Sequence, residues 1–495
     1  MAELLRPALP GGTQSANGIE ITNRAGTNSA VSPAGTGYKT ASTDVWLCGA
    51  VAGFAWLLYF NFGRAISYGG DEFALIRPAL TGSLLELLHA HLRPLEYFVV
   101  RLSFAAHFPY WLLVSLCSYI ATAVLTLRFI DLFRGARIPP FWKILLCATS
   151  PLAAQAYFRV DTVAQALANL FTVLLTIYLV ECLRATEPAE IRRLSRRVLA
   201  TAMLCLVSKE TTYGMVLGGS AILWLRHRDK VLPLLIGPVL LLLAGAAYSY
   251  LGAQQFSEPT QYGLKVNPLY WLFTLVFSVI VALFPAPTSV ILTGAARSVP
   301  AMLGLCVVGV LLAFAGLALY LPRRIHLPVK PGSMRRLGRG DFTDQELLFL
   351  LLLCSLVPAM FVKAAELYAT QALPYLKALL ALALPLNMRL VDRLFWSAVS
   401  VMWVLATCIN LMFYSVVMGA HPSVETSRPA IERRLWAEVE RAEKHRIHGY
   451  SIYAYSAANI PQRIGACYVD PREPRVCLPK NIASGVPTVR GNLLP

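Results

Sequence analysis

Charge is what this 495-residue chain has least of. Asp, Glu, Lys and Arg together make up 14% of it, and acids are the scarcer kind, 27 against 44 bases. A soluble domain carries roughly 25% charged residues, so too few charges are present to cover a surface that faces water. With 56% hydrophobic residues and a mean hydropathy of +0.56, the composition excludes an ordinary cytosolic enzyme, a disordered chain and a disulfide scaffold. Common catalytic signatures are missing as well: no P-loop, no Rossmann glycine fingerprint, no HExxH and no GxSxG. No CxxC or Cys/His metal pattern occurs, and no internal repeat of solenoid length is evident. What is left is an all-α polytopic membrane protein.

The net charge of +17 is spread in a way that argues against nucleic acid as a partner. Basic residues fill short gaps between apolar runs: Arg128, Arg134, Arg137 and Lys143; Arg184, Arg192, Arg193, Arg196 and Arg197; Arg226, Arg228 and Lys230; and Arg323 to Arg339. Short loops rich in Lys and Arg stay on the cytoplasmic side, so this charge encodes topology.

Residues 1–43 are rich in Gly, Ala, Ser, Thr and Asn and open without an apolar h-region. They predict a disordered cytoplasmic tail and no cleavable signal peptide. The transmembrane domain is expected over 44–418. Its apolar runs lie near 45–63, 108–130, 141–157, 162–183, 198–208, 211–225, 231–252, 301–321, 346–362, 372–388 and 394–418. Lys209-Glu210 divides the long apolar stretch 198–225 into two spans. The run 268–292 holds Pro285 and Pro287 and is read as re-entrant or interfacial. About eleven spans then keep every basic gap inside. The segments 64–107, 158–161, 209–210, 253–300, 363–371 and 419–495 fall outside. Residues 419–495 read as a small soluble external domain, with a helix from Pro429 to Gly449.

The polar groups that could carry chemistry gather on that external side. Asp71 and Glu72 sit in the first external loop, where one carboxylate can accept a proton from an acceptor hydroxyl or hold a cation while its neighbour tunes it. An acidic turn capping a helix explains the same pair. His91-Leu92-Arg93-Pro94-Leu95-Glu96-Tyr97 begins an amphipathic interfacial helix that is either an anchor or a platform for a phosphorylated lipid. Arg159 and Asp161 form a salt bridge, or Asp161 joins Asp71 in one pocket. Lys209-Glu210 is the most expensive feature, because charges within a span cost roughly 2.5–3.5 kcal/mol each. A phosphate would suit Lys209, with Glu210 orienting it, and a self-satisfied ion pair is the alternative. Lys363 and Tyr368 could bind phosphate and sugar, or serve as a snorkelling lysine and an aromatic-belt residue. Of the ten cysteines, all but Cys467 and Cys477 lie in or beside apolar runs, where Cys acts as a small hydrophobe. Cys467 and Cys477 could form a local disulfide if the tail is external, or remain free thiols.

The order of these elements resembles the GT-C superfamily of integral-membrane glycosyltransferases, in the branch of protein O-mannosyltransferases and transmembrane enzymes with tetratricopeptide repeats. The likeness rests on Asp71-Glu72, Arg93-Pro94-Leu95, Ser150-Pro151-Leu152 followed by Arg159 and Asp161, Ser208-Lys209-Glu210, Asn267-Pro268-Leu269, and Ala365-Glu366-Leu367-Tyr368, and covers residues 45–390. Leu367 stands where the family has arginine, which shifts any phosphate contact there to Lys363 or removes it. The repeats themselves are absent. The resemblance implies a GT-C-like fold and an inverting transfer from a polyprenyl-phosphate-linked sugar on the external face. It makes Asp71 the base, with Glu72 and Asp161 beside it, and assigns donor phosphate to Lys209, Glu210, Arg159, Arg93 and Lys363, with His91 and Tyr368 toward substrate. The acceptor is a glycan, lipid or protein. A divalent cation is used by some members, but no DxD motif is present here to hold one, and no other cofactor is implied. The missing repeats and the Ala/Leu/Arg-rich composition lean to a bacterial inner membrane. A polysaccharide or lipid flippase or polymerase is the alternative.

Overall fold

The computed structural model describes residues 42–58, 93–106, 108, 110–133, 140–148, 157, 162–228, 238–239, 243, 245, 267–283, 340–361, 366–383 and 397. The chain divides into two units, 1–33 and 34–495, and every described residue belongs to the second. Among the described residues the elements are helical, with no strand. They are α1 (Ser42–Leu58), α2 (Pro94–Ala105), α3 (Tyr110–Asp131), α4 (Pro140–Ala148), α5 (Val163–Arg184), α6 (Pro188–Leu206), a 3₁₀ turn (Glu210–Thr212), α7 (Tyr213–Arg226), α8 (Pro268–Leu283), α9 (Asp344–Phe361) and α10 (Glu366–Ala383). Proline opens α2, α4, α6 and α8, at a position where its missing N–H has no intrahelical acceptor to lose.

Two of these helices, α3 and α5, are long and apolar enough to cross a membrane. Each has 22 residues and is therefore about 33 Å long, against roughly 30 Å of hydrocarbon. α5 forms the core. It packs on α3, α6, α7 and α10, and residues from Val163 to Leu183 are buried on most of its circumference. Phe129 and Tyr375 meet edge to face at 5.7 Å, and the Tyr375 hydroxyl lies 2.8 Å from that of Thr176.

α7 and α9 approach unusually closely. A Cβ on Gly214 would stand 2.5 Å from the Cys354 carbonyl oxygen and 2.7 Å from Pro358, and one on Gly218 would strike Cys354 Sγ. Glycine at both positions, four apart, lets the two backbones touch. Gly340, at φ +75°, lies against the Arg226 backbone in the same way.

Ion pairs collect at one end of the bundle. Lys143 Nζ is 3.0 Å from Asp131 and 3.9 Å from Asp44. Arg128 meets Glu181 at 2.9 Å, Arg184 meets Asp344 at 2.8 Å, and Arg226 pairs with Asp341. These residues lie at the starts of α1, α4 and α9 and at the ends of α3, α5 and α7, so α3, α5 and α7 run one way through the bundle and α1, α4 and α9 the other.

Several segments differ from expectation. The basic gap 184–197 is mostly helix, because α6 begins at Pro188; Ile191, Leu194, Ser195 and Val198 form a buried stripe, while Arg192, Arg193, Arg196 and Arg197 face outward. The gap 363–371 is helical from Glu366 onward, which places Glu366-Leu367-Tyr368 in the first turn of α10 rather than in a turn between spans. Over the run 268–292, α8 is a helix of 16 residues, about 24 Å long and so shorter than the hydrocarbon layer. It packs on α9 and α10. The runs 301–321 and 394–418, the tail 419–495 and residues 1–41 lie outside the described residues, apart from position 397.

Candidate functional site

The opposite end of the bundle holds the turn between α6 and α7. Thr212 closes it: its hydroxyl donates to the carbonyls of Cys205 at 2.9 Å and Lys209 at 2.8 Å, and its N–H reaches the Lys209 carbonyl at 3.1 Å. Lys209 is extended at the corner and buried. Gln371 of α10 donates to the Thr211 hydroxyl at 2.7 Å, which pins the turn to a third helix. The charge pair thus sits where the helix breaks, as its insertion cost requires.

Arg93, immediately before α2, reaches across to this turn. Its Nε donates to Glu210 Oε2 at 2.8 Å and its Nη2 to Glu210 Oε1, the two-pronged geometry that a planar guanidinium offers a carboxylate. Its Nη1 also lies 3.6 Å from Glu96. Glu96 is fully buried. Its Oε1 accepts from the Ala164 N–H in the first turn of α5 at 3.4 Å, and its Oε2 has no hydrogen-bond donor among the described residues. Burial pushes the Glu96 carboxyl above the ordinary range; Arg93 and then Lys209 pull it back, and Glu210 adds to the push. Two cations and two carboxylates therefore meet from α2 and the α6–α7 turn, over the start of α5.

Three residues expected at the donor phosphate, Arg93, Lys209 and Glu210, are brought together here. Adjacency in sequence pairs Glu210 with Lys209; in the structure its carboxylate takes two hydrogen bonds from Arg93. Glu96 and Gln371 complete the arrangement and carry no motif of their own. The available signal for Glu96 is an acid one helical turn from Arg93 in a chain poor in acid. Asp71, Glu72, His91, Arg159, Asp161, Lys363, Cys467 and Cys477 lie outside the described residues, and Tyr368 is described by its backbone alone, in α10. No cluster of three or more His, Cys, Asp or Glu side chains is found among the described residues.

A second polar group lies inside the bundle. Gln165 donates to Asn169 at 2.9 Å, and Asn169 donates to the hydroxyls of Tyr157 at 3.2 Å and Thr370 at 3.1 Å. Tyr157, Asn169 and Thr370, with Thr122, Thr126, Cys147 and Lys377, line a cavity of about 30 Å³, room for about two waters.

Comparison of the chain with protein-family models, with curated proteins and with solved structures finds no match.

Proposed function

We propose that the chain is a polytopic membrane glycosyltransferase of GT-C type, with about eleven spans, in a bacterial inner membrane. It would take sugar from a polyprenyl-phosphate donor and transfer it with inversion on the external face. The observation that carries this reading is the meeting of Arg93, Lys209 and Glu210 at the bundle end opposite the ladder of basic ion pairs. Basic ends stay in the cytoplasm, so the cluster faces outward, at the membrane surface where the phosphate of a lipid-linked sugar lies.

Arg93 and Lys209 would hold the phosphate while the polyprenyl tail stays in lipid. Asp71, supported by Glu72 and Asp161, would accept the proton of the acceptor hydroxyl as that oxygen attacks the anomeric carbon. The lipid phosphate leaves from the opposite side. Lys363 and Arg159 are further phosphate ligands, and His91 and Tyr368 are sugar contacts, on the strength of the resemblance alone.

A flippase or polysaccharide exporter would need a polar path through the bundle. Such an exporter forms no glycosidic bond. The test is transfer by purified protein in detergent from a polyprenyl-phosphate sugar to cell-envelope acceptors, followed by mass spectrometry. A new glycosidic bond is expected, with Asp71→Asn lowering turnover about 10²-fold or more. Normal turnover in Asp71→Asn removes it as base, and no bond with any donor contradicts the enzyme reading.

A further inference from the structure

α6 changes character along its outward face. Ile191, Leu194, Ser195 and Val198 are buried, and the opposite side of the helix carries Arg192, Arg193, Arg196 and Arg197, all exposed. One and two turns further on, the same side carries Ala200, Met203 and Leu204, which are exposed and apolar. The helical period keeps these residues in one column, with about 10 Å along the axis between Arg197 and Leu204. Guanidinium groups followed by exposed hydrocarbon on one face are the profile of a helix that passes from headgroups into acyl chains.

Four cations at this end of the bundle are already taken: Lys143, Arg128, Arg184 and Arg226 each face a carboxylate from another segment. The arginines of α6 are placed differently. Arg193 has Glu190 at 3.4 Å, one turn back on its own helix, in a solvent-screened pair of the weak kind. Arg192 reaches the Pro188 carbonyl at 3.4 Å. Arg196 and Arg197 meet no carboxylate among the described residues. The Arg197 guanidinium lies over the Tyr178 ring of α5, 5.5 Å from its centroid. That contact holds the guanidinium plane and leaves its N–H edge for a ligand.

We propose that the outward face of α6 binds an anionic phospholipid in the leaflet at the ion-paired end of the bundle: Arg196 and Arg197 hold its phosphodiester, and its acyl chains lie along Ala200, Met203 and Leu204. The phosphate accepts from both guanidinium edges, a charge-assisted geometry that suits arginine. Headgroup choice follows from the same charges. A zwitterionic lipid brings a choline or ethanolamine cation among four arginines, whereas a glycerol headgroup brings none, so a lipid of net negative charge is preferred. The inference rests on the membrane-spanning part of the proposed function and not on its chemistry, since the donor cluster lies at the other end of α6.

The experiment measures dissociation constants of the full-length protein in detergent, by native mass spectrometry, for two lipids with the same chains: palmitoyl-oleoyl phosphatidylglycerol and palmitoyl-oleoyl phosphatidylcholine. The wild type is expected to bind phosphatidylglycerol about tenfold tighter. Arg196→Gln combined with Arg197→Gln should remove most of that preference and change phosphatidylcholine binding little. A preference that survives in this variant sets the selecting charge elsewhere and overturns the inference. Equal losses for both lipids would mean a structural role and overturn it too. So would a wild type without preference, a measurement that needs no variant to fold. Washing membranes with alkaline carbonate tests the spanning reading separately: release of the wild type removes that reading and the inference with it. Retention there without lipid preference removes the inference alone.

Discussion

At the scale of single residues, what matters is which charges can be released. Lys209 is buried at the helix break, and Glu210 is held by Arg93 from a distant part of the chain. Lys209→Ala should raise the KM for the lipid donor about tenfold or more while changing acceptor KM little, since a charge-assisted contact to phosphate is lost and nothing on the acceptor side is touched. Equal effects on both substrates would return Lys209 to a structural role. Glu96 gives a second test, through pH. Its carboxyl is raised in the folded protein, chiefly by burial, so the folded state binds its proton more readily than the unfolded chain does. The stability this supplies is fully present below the usual carboxylate value, about 4.3, and is lost as pH rises through the folded value. Glu96→Gln should flatten the fall of the unfolding midpoint in detergent between acid and neutral pH; an unchanged slope would contradict the assignment. The cost of Lys209-Glu210 was legible locally, but its partners were not. Arg93 and Glu96 look like a routine pair one turn apart, and the Arg93–Glu210 contact joins segments 117 positions apart.

At the scale of helices, continuous apolar runs were readable, as was the helix that begins beside Arg93, whereas the basic start of α6 was not. The run 162–183 corresponds to α5, Val163–Arg184, because a helix buried on most sides needs apolar residues on most sides. The start of α6 was hidden by its arginines, since a helix packed on one face shows only the Ile191, Leu194, Ser195, Val198 stripe. The division at Lys209-Glu210 was readable from cost alone, and the 3₁₀ turn lies there. The close contact of α7 with α9 yields a paired prediction. Gly214→Ala and Gly218→Ala should each destabilise by roughly 1–3 kcal/mol, as overpacking does. Removing the Cys354 side chain with Cys354→Gly should relieve Gly218→Ala, whose obstacle is that sulfur, but not Gly214→Ala, whose obstacle is a backbone carbonyl and Pro358. Unfolding midpoints of the double variants decide it, and equal relief at both sites would mean the contact is misread.

At the scale of the molecule, the composition pointed to a membrane protein, and two helices of sufficient length and apolarity, α3 and α5, are present. The charge pattern supplied the direction of each run, and the ion pairs at the ends of α1, α3, α4, α5, α7 and α9 agree with that alternation. At the other end Arg93, Glu96, Lys209 and Glu210 meet. The proposed function requires those two ends to face opposite sides of the membrane. Cysteine introduced at Glu210, or at Arg193 in α6, can be mapped by mass spectrometry after intact cells are treated with a membrane-impermeant thiol reagent. Modification at 210 and protection at 193 until the cells are opened are the expected results. Protection at 210 with modification at 193 would put the cluster in the cytoplasm and contradict it.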